Sequence, residues 1–393
     1  MYDVIIIGAG VAGAVAARRM AEEQNKKVLI LERRSHIAGN CYDELDEYGI
    51  LIHTYGPHIF HTEDEGVREF FSRFTEWYDF GHEVVARVRE QLLPVPFNLN
   101  TLHMIYDEDK ANRLEAKLIA EYGMDSRVPI MKLRENEDPD VREIAEFVYE
   151  NVFLHYTMKQ WGQTPDEISP EVTGRVPVVI SYDNRYFKDR YQSVPLHGFT
   201  ELFEEMLDHE NITVCLNTDC KEVLEFSEGY IRIRNSLLAE ELELPAGDIF
   251  AGDVIYTGAI DELFDLRFGR LPYRSLDFKF EHLNQESFQG HSVVNYTVSE
   301  DFTRITEFPY LTGQKECNGT TIVREYPFAY TGAAGEIPYY AILNEDNEGL
   351  YEKYKDLTKS YPHFHLLGRL AEYKYYNIDA MARKALDLAD ALA

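Results

Sequence analysis

The chain opens on a nearly unbroken apolar run, Asp3-Val4-Ile5-Ile6-Ile7, of the β-branched kind found in a strand buried on both faces. A glycine-rich turn follows, then an alanine-rich segment to Glu23 that reads as a helix, and Lys27 to Leu31 reads as a second buried strand. Together they predict a βαβ unit. From Leu102 to Tyr156 apolar residues recur at spacings of three and four among charges, as in Asn112 to Tyr122 and Val141 to Tyr156, which predicts amphipathic helices. Between Val84 and Leu99, Tyr182 and Val194, and Tyr273 and Pro327, aromatic and β-branched residues alternate with polar ones, which predicts an antiparallel sheet.

Three later pieces read as returning to the first domain: Ile212 to Val223, Asp253 to Thr257 with Gly258-Ala259, and Phe364 to Leu370 with a helix after Asn377. The expected architecture is therefore α/β. A Rossmann-type FAD-binding domain in three pieces (1–80, 196–260 and 328–393) carries an inserted helical domain (101–156) and an antiparallel β-sheet substrate domain (82–100, 157–195 and 270–327). The acidic stretch from Tyr230 to Gly252 reads as an exposed hairpin extension.

Composition narrows the possible partners. Acidic residues number 69 against 39 Lys plus Arg, a formal net charge of −30, so nucleic acid is excluded as a partner on electrostatic grounds. A phosphate-bearing ligand must then be held by helix N-termini or by a few arginines placed in a cleft. No apolar run approaches the ~20 residues of a membrane span, and the first residues lack the basic region of a signal peptide. Cys41, Cys215, Cys220 and Cys317 fit neither a zinc site nor a disulfide scaffold, so a cytoplasmic protein without a metal is expected.

Gly8-Ala9-Gly10-Val11-Ala12-Gly13 stands between the first strand and the first helix, and Glu32 ends the second strand. In that context Gly8 makes the tight turn, Gly10 lets the backbone approach a pyrophosphate, and Gly13 lets helix and strand pack closely. The helix N-terminus faces the pyrophosphate, and Glu32 can accept from ribose hydroxyls. The next segment, Glu32-Arg33-Arg34-Ser35-His36-Ile37-Ala38-Gly39-Asn40, resembles the second phosphate-approaching segment of flavoproteins, so FAD rather than NAD is expected. Most relatives would carry glycine where this chain has Ala38. There is no second glycine fingerprint, hence no separate NADPH domain.

Further motifs follow in order: Gly56-Pro57-His58-Ile59-Phe60-His61-Thr62, Pro96-Phe97-Asn98-Leu99-Asn100, Tyr156-Thr157-Met158-Lys159-Gln160-Trp161-Gly162, Arg175-Val176-Pro177, Asp183-Asn184-Arg185-Tyr186-Phe187, Arg324-Glu325-Tyr326-Pro327, Pro338-Tyr339-Tyr340, Gly368-Arg369-Leu370 and Tyr373-Lys374-Tyr375. From Tyr2 to about Asp387 the chain resembles the bacterial UDP-galactopyranose mutases. The resemblance implies a redox-neutral interconversion of UDP-galactopyranose and UDP-galactofuranose, in which the N5 atom of reduced FAD attacks the anomeric carbon. That chemistry is sensible because the two ring forms differ in which hydroxyl closes the ring, and the bond from C1 to UDP blocks opening until a nucleophile displaces it.

The resemblance also implies roles. Arg175 and Arg304 clamp the pyrophosphate, a task suited to a planar, permanently charged fork. Tyr156, Tyr186, Tyr340 and Tyr375 donate to the same phosphates; Asn98, Thr157, Trp161 and Arg274 join them around the nucleotide; and Trp161 with residues 168–181 forms a lid. Arg33, Gly39, Asn40, His58, His61, Arg369 and Met381 contact the cofactor, with His58 also at the reacting centre. A homodimer is implied as well. Taken singly, a histidine beside Phe60 is as readily a core residue, any of 27 tyrosines is more readily packing, and Glu325 is as readily a plain ion pair. Asn377 stands where the family usually has aspartate. Two other readings share the dinucleotide domain: a substrate-oxidising flavoprotein of the amine oxidase type, and a redox-sensing flavoprotein without catalysis.

Overall fold

The computed structural model describes residues 2–162 and 177–393. Five fully parallel strands form its first sheet, in the order Ile212–Cys215, Val28–Leu31, Val4–Ile7, Asp253–Tyr256 and Phe364–Leu366. Helices Val11–Glu23, Phe199–Leu207 and Ile378–Ala391 share one apolar core on one face of it. A second core, which includes Ile231, Ile233, Ala239 and Leu244, covers the other face. Burial on both sides explains why these strands read as continuous apolar runs.

The segment after Tyr230 differs from the expected exposed hairpin. Tyr230–Ile233 does form a hairpin, but its partner Leu224–Ser227 precedes the stretch, and a short helix, Leu237–Glu241, follows. Ile231, Ile233, Ala239 and Leu244 complete the second core, while the segment's charged positions, together with Leu237 and Ile249, face solvent.

Seven strands form the second large sheet, ordered Tyr340–Ala341, Tyr273–Leu283, Thr320–Ala329, Arg304–Glu307, Val293–Tyr296, Val84–Val88 and Gln91–Val95. It is antiparallel except where Val293–Tyr296 runs parallel to Val84–Val88. Of the strand expected over Tyr182 to Val194, only Tyr191–Pro195 forms, and it pairs with Phe60–Thr62 and Trp77–Asp79 in a separate small sheet. The preceding residues turn because the Asp183 carboxylate accepts from the Arg185 backbone N–H at 3.0 Å and holds the Arg185 guanidinium. Helices Leu99–Ile105, Glu108–Tyr122 and Pro139–Val148 start at Asn98, Asp107 and Asp138, each accepting a backbone N–H in its own first turn. A π-helical turn, Tyr149–Leu154, joins the last of these to His155–Trp161 and rotates the face that carries Tyr156. Among the described residues no helix is long and apolar enough to cross a membrane.

Candidate active site

The glycine turn closes around the carboxyl ends of the parallel strands. Gly8 has φ +105°, and a Cβ there would stand 2.1 Å from Thr257 Oγ1. A Cβ on Gly13 would stand 2.0 Å from the Gly8 carbonyl oxygen, so that position is small because helix and strand touch. Gly10 is different: its nearest protein neighbour would be Gly39 Cα at an ordinary 3.6 Å, and its missing side chain borders a cavity of about 350 Å³. Glu32 uses one oxygen to accept from Ala9 N–H and the other from Arg34 N–H, both at 2.8 Å, so it shapes the turn as well as facing the cavity. Ala38 adopts φ +67°, which explains the expectation of glycine and costs about 1–2 kcal/mol.

Gly8, Gly10, Glu32, Arg33, Gly39, Asn40, His58, Arg369 and Met381 all line this elongated cavity, whereas Gly13 lies beneath it and His61 belongs to its neighbour. A second cavity of about 220 Å³ carries His61, Tyr156, Tyr186, Arg304, Tyr340 and Tyr375. Asn40, His58, Arg369, Asn377 and Ile378 line both. The two cavities therefore adjoin, with His58 and Arg369 among the residues where they meet.

At that junction His58 donates from Nδ1 to the Gly56 carbonyl at 2.9 Å, leaving Nε2 as an acceptor. Burial pushes its pKa down to about 3, with His53 and Arg369 adding to the effect, so the ring is neutral. Arg304 reaches the second cavity from the sheet, with Nε 2.7 Å from Glu325 Oε1 but off the line of a hydrogen bond. Charge, not directed bonding, holds this pair, and Glu325, only 1% exposed, keeps the guanidinium charged. Burial raises the Tyr156 and Tyr340 phenols, which keeps both as donors.

Four expected ligands are not on the wall of either cavity. Asn98 is buried as the cap of Leu99–Ile105, Thr157 is buried in its helix, Trp161 stands with its ring centroid 5.9 Å from that of Tyr340, and Arg274 bonds the end of the same helix. Arg175, and with it most of the expected lid, lies outside the described residues. Sequence reasoning missed His82 and Tyr339, which line the second cavity. Tyr339 sits beside Tyr340 in a quoted motif and could have been found; His82 has no local signal.

A dinucleotide cavity adjoining a second pocket lined by two arginines, Arg304 and Arg369, and by six tyrosines fits a flavoprotein of the class that takes a second, anionic ligand beside its cofactor. The UDP-galactopyranose mutase family model matches residues 151–375, and an NAD(P)-binding Rossmann-like model matches residues 6–74. The chain is 35% identical to the probable UDP-galactopyranose mutase of Klebsiella pneumoniae, over 99% of this chain and 94% of that one. It is also 35% identical to the dTDP-fucopyranose mutase of Escherichia coli, over 99% and 98%. A crystal structure of reduced UDP-galactopyranose mutase superposes with a TM-score of 0.68 over 99% of this chain and 93% of that one at 16% identity, and a putrescine oxidase variant with 0.57 over 100% and 98% at 12%, which shows a shared fold. The chain belongs to the UDP-galactopyranose mutase family, and it is a flavin-binding isomerase. The amine oxidase reading shares the fold but is not favoured by these relatives.

Proposed function

We propose that the protein interconverts UDP-galactopyranose and UDP-galactofuranose, using FAD in its reduced state. The two adjoining cavities carry this reading: a flavin held along the glycine turn by Gly10, Glu32, Gly39 and Met381 reaches the shared residues His58 and Arg369, where a sugar diphosphate held by Arg304 meets it. When bound, the reduced flavin supplies a nucleophilic nitrogen to the anomeric carbon. The rest is done by this chain. Arg304 bonds phosphate oxygens with its fork, and Glu325 fixes its charge. Tyr156, Tyr186, Tyr340 and Tyr375 donate phenolic hydrogen bonds, and Arg175 supplies a second guanidinium. Neutral His58 presents Nε2 at the junction as an acceptor for a hydroxyl or ring N–H.

The equal identity to a dTDP-fucopyranose mutase favours one further reading, a dTDP-6-deoxysugar substrate for the same ring exchange. Both are tested by supplying dithionite-reduced protein with each nucleotide sugar and separating the products. UDP-galactose conversion with dTDP-fucose left untouched supports the proposal; the reverse transfers the activity to the second substrate. The reading includes a cytoplasmic homodimer, checked by fractionation and by light scattering.

A further inference from the structure

We infer that Arg274 is a positioning residue that sets nucleotide affinity by fastening the end of the helix His155–Trp161 to the strand beside Tyr340. The inference rests on the proposed reading that a nucleotide sugar occupies the second cavity, whose wall includes Tyr340. Arg274 sits in Tyr273–Leu283, where its backbone faces Tyr340 in register and its carbonyl accepts from Tyr339 N–H at 2.9 Å. Its side chain leaves the sheet, and Nε donates to the Gln160 carbonyl at 2.8 Å while Nη2 donates to the Lys159 carbonyl at 3.0 Å. The last carbonyls of a helix lack partners within it and carry partial negative charge, so a guanidinium satisfies them twice over.

One residue therefore holds the backbone of Tyr340 and the helix end that bears Trp161, whose rings are 5.9 Å apart. The space is reserved for it: Gly162 has φ +67°, and a Cβ there would stand 2.8 Å from Arg274 Nη1. The other side of the helix end is fastened by Lys159, whose ammonium donates to the carbonyls of Tyr296, Glu300 and Phe302. Arg274 is 8% exposed, pairs with no carboxylate among the described residues and lines neither cavity. Such a charge, sunk among carbonyls, is placed to hold backbone in position.

The test compares Arg274→Ala, Arg274→Lys and Gly162→Ala in the holoprotein, titrated with UDP and with uridine and assayed for kcat and KM. In a Trp77→Phe background, which leaves Trp161 as the sole tryptophan, fluorescence anisotropy reports its mobility. Arg274→Ala and Gly162→Ala are expected to weaken UDP and uridine by the same factor, about tenfold. KM should rise with them, kcat stay nearly constant and Trp161 anisotropy fall. Arg274→Lys should recover most of the affinity, because an ammonium also donates to these carbonyls. Weakened UDP with unchanged uridine would overturn the inference and make Arg274 a phosphate ligand; a Gly162→Ala variant that binds like wild type would overturn it by showing that the held helix end does not set affinity. Should Arg274→Ala lose its flavin or its fold, the other two variants decide the matter. Wild-type protein binding neither nucleotide would instead overturn the proposed function.

Discussion

Alanine at Gly10 and alanine at Gly13 should fail in opposite ways, although both add one methyl group to the same turn. At Gly13 the new Cβ would lie 2.0 Å from the Gly8 carbonyl oxygen and 3.1 Å from Ile6 Cγ2. Both neighbours belong to the central strand and its turn, so neither can swing aside, and helix and strand must separate. Overpacking typically costs about 1–3 kcal/mol, and a clash with backbone belongs at or above the upper end. Gly13→Ala should therefore lower the urea midpoint of the flavin-free protein. At Gly10 the nearest atom would be 3.6 Å away and φ is −80°, a conformation alanine adopts freely. Gly10→Ala should leave the flavin-free protein within about 0.5–1 kcal/mol of wild type, the small loss expected where glycine caps a helix. Its methyl group occupies the cavity where the pyrophosphate approaches, so FAD affinity should fall at least about tenfold, the 1.4 kcal/mol of one good charge-assisted bond. Urea unfolding of the flavin-free proteins gives the first quantity, and titration with FAD followed by flavin fluorescence quenching gives the second. Gly10→Ala protein that binds FAD like wild type would refute the close-approach argument, however Gly13→Ala behaves.

Other outcomes follow from the same geometry. Arg304→Ala should weaken UDP at least about tenfold by calorimetry, and Arg304→Lys should not restore it, because an ammonium cannot bond two phosphate oxygens in one plane. Glu325→Gln should destabilise the protein by about 1–3 kcal/mol in urea unfolding, since a largely buried guanidinium loses its counter-charge; unchanged stability would mean that the pair is not charged. Burial pushes His53, His58 and His82 each down to about 3, below the unfolded value near 6.5, so the unfolded chain binds more protons between those limits. Stability is therefore fully present above pH 6.5 and is lost as pH falls toward 3, and His82→Phe should flatten that slope in urea titrations at successive pH values. Ala38→Gly should stabilise by up to about 1 kcal/mol, because relief of the positive φ outweighs the added freedom of the unfolded chain.

The parts of this molecule legible in its sequence are those in which local pattern and long-range role coincide. Val4–Ile7 and Val28–Leu31 are covered on both faces and read as buried strands; the glycine turn lies wholly within one segment. Tyr191–Pro195 was harder, because alternation reveals a strand but not its partners, and its partners lie more than a hundred residues upstream. The motifs pointed to Tyr156, Tyr186, Tyr340 and Tyr375, and the resemblance to Arg304, all of which line one cavity, but neither distinguished wall from support. Asn98, which caps a helix, sits in the same kind of motif as the lining residues, and Arg274, which bonds the end of another helix, was implied alongside them. Where a long side chain points depends on packing between segments far apart in sequence. His82 illustrates the converse: it lines the cavity because Val84–Val88 lies beside Val293–Tyr296 in the sheet, a pairing with no local trace.

The most direct test of the central claim is the fate of UDP-galactofuranose mixed with the purified protein, oxidised in one sample and reduced by dithionite in the other. The account predicts UDP-galactopyranose only in the reduced sample, over many turnovers and without reductant consumed per product. Conversion by the oxidised protein with peroxide released, or consumption of one reductant per product, would contradict it.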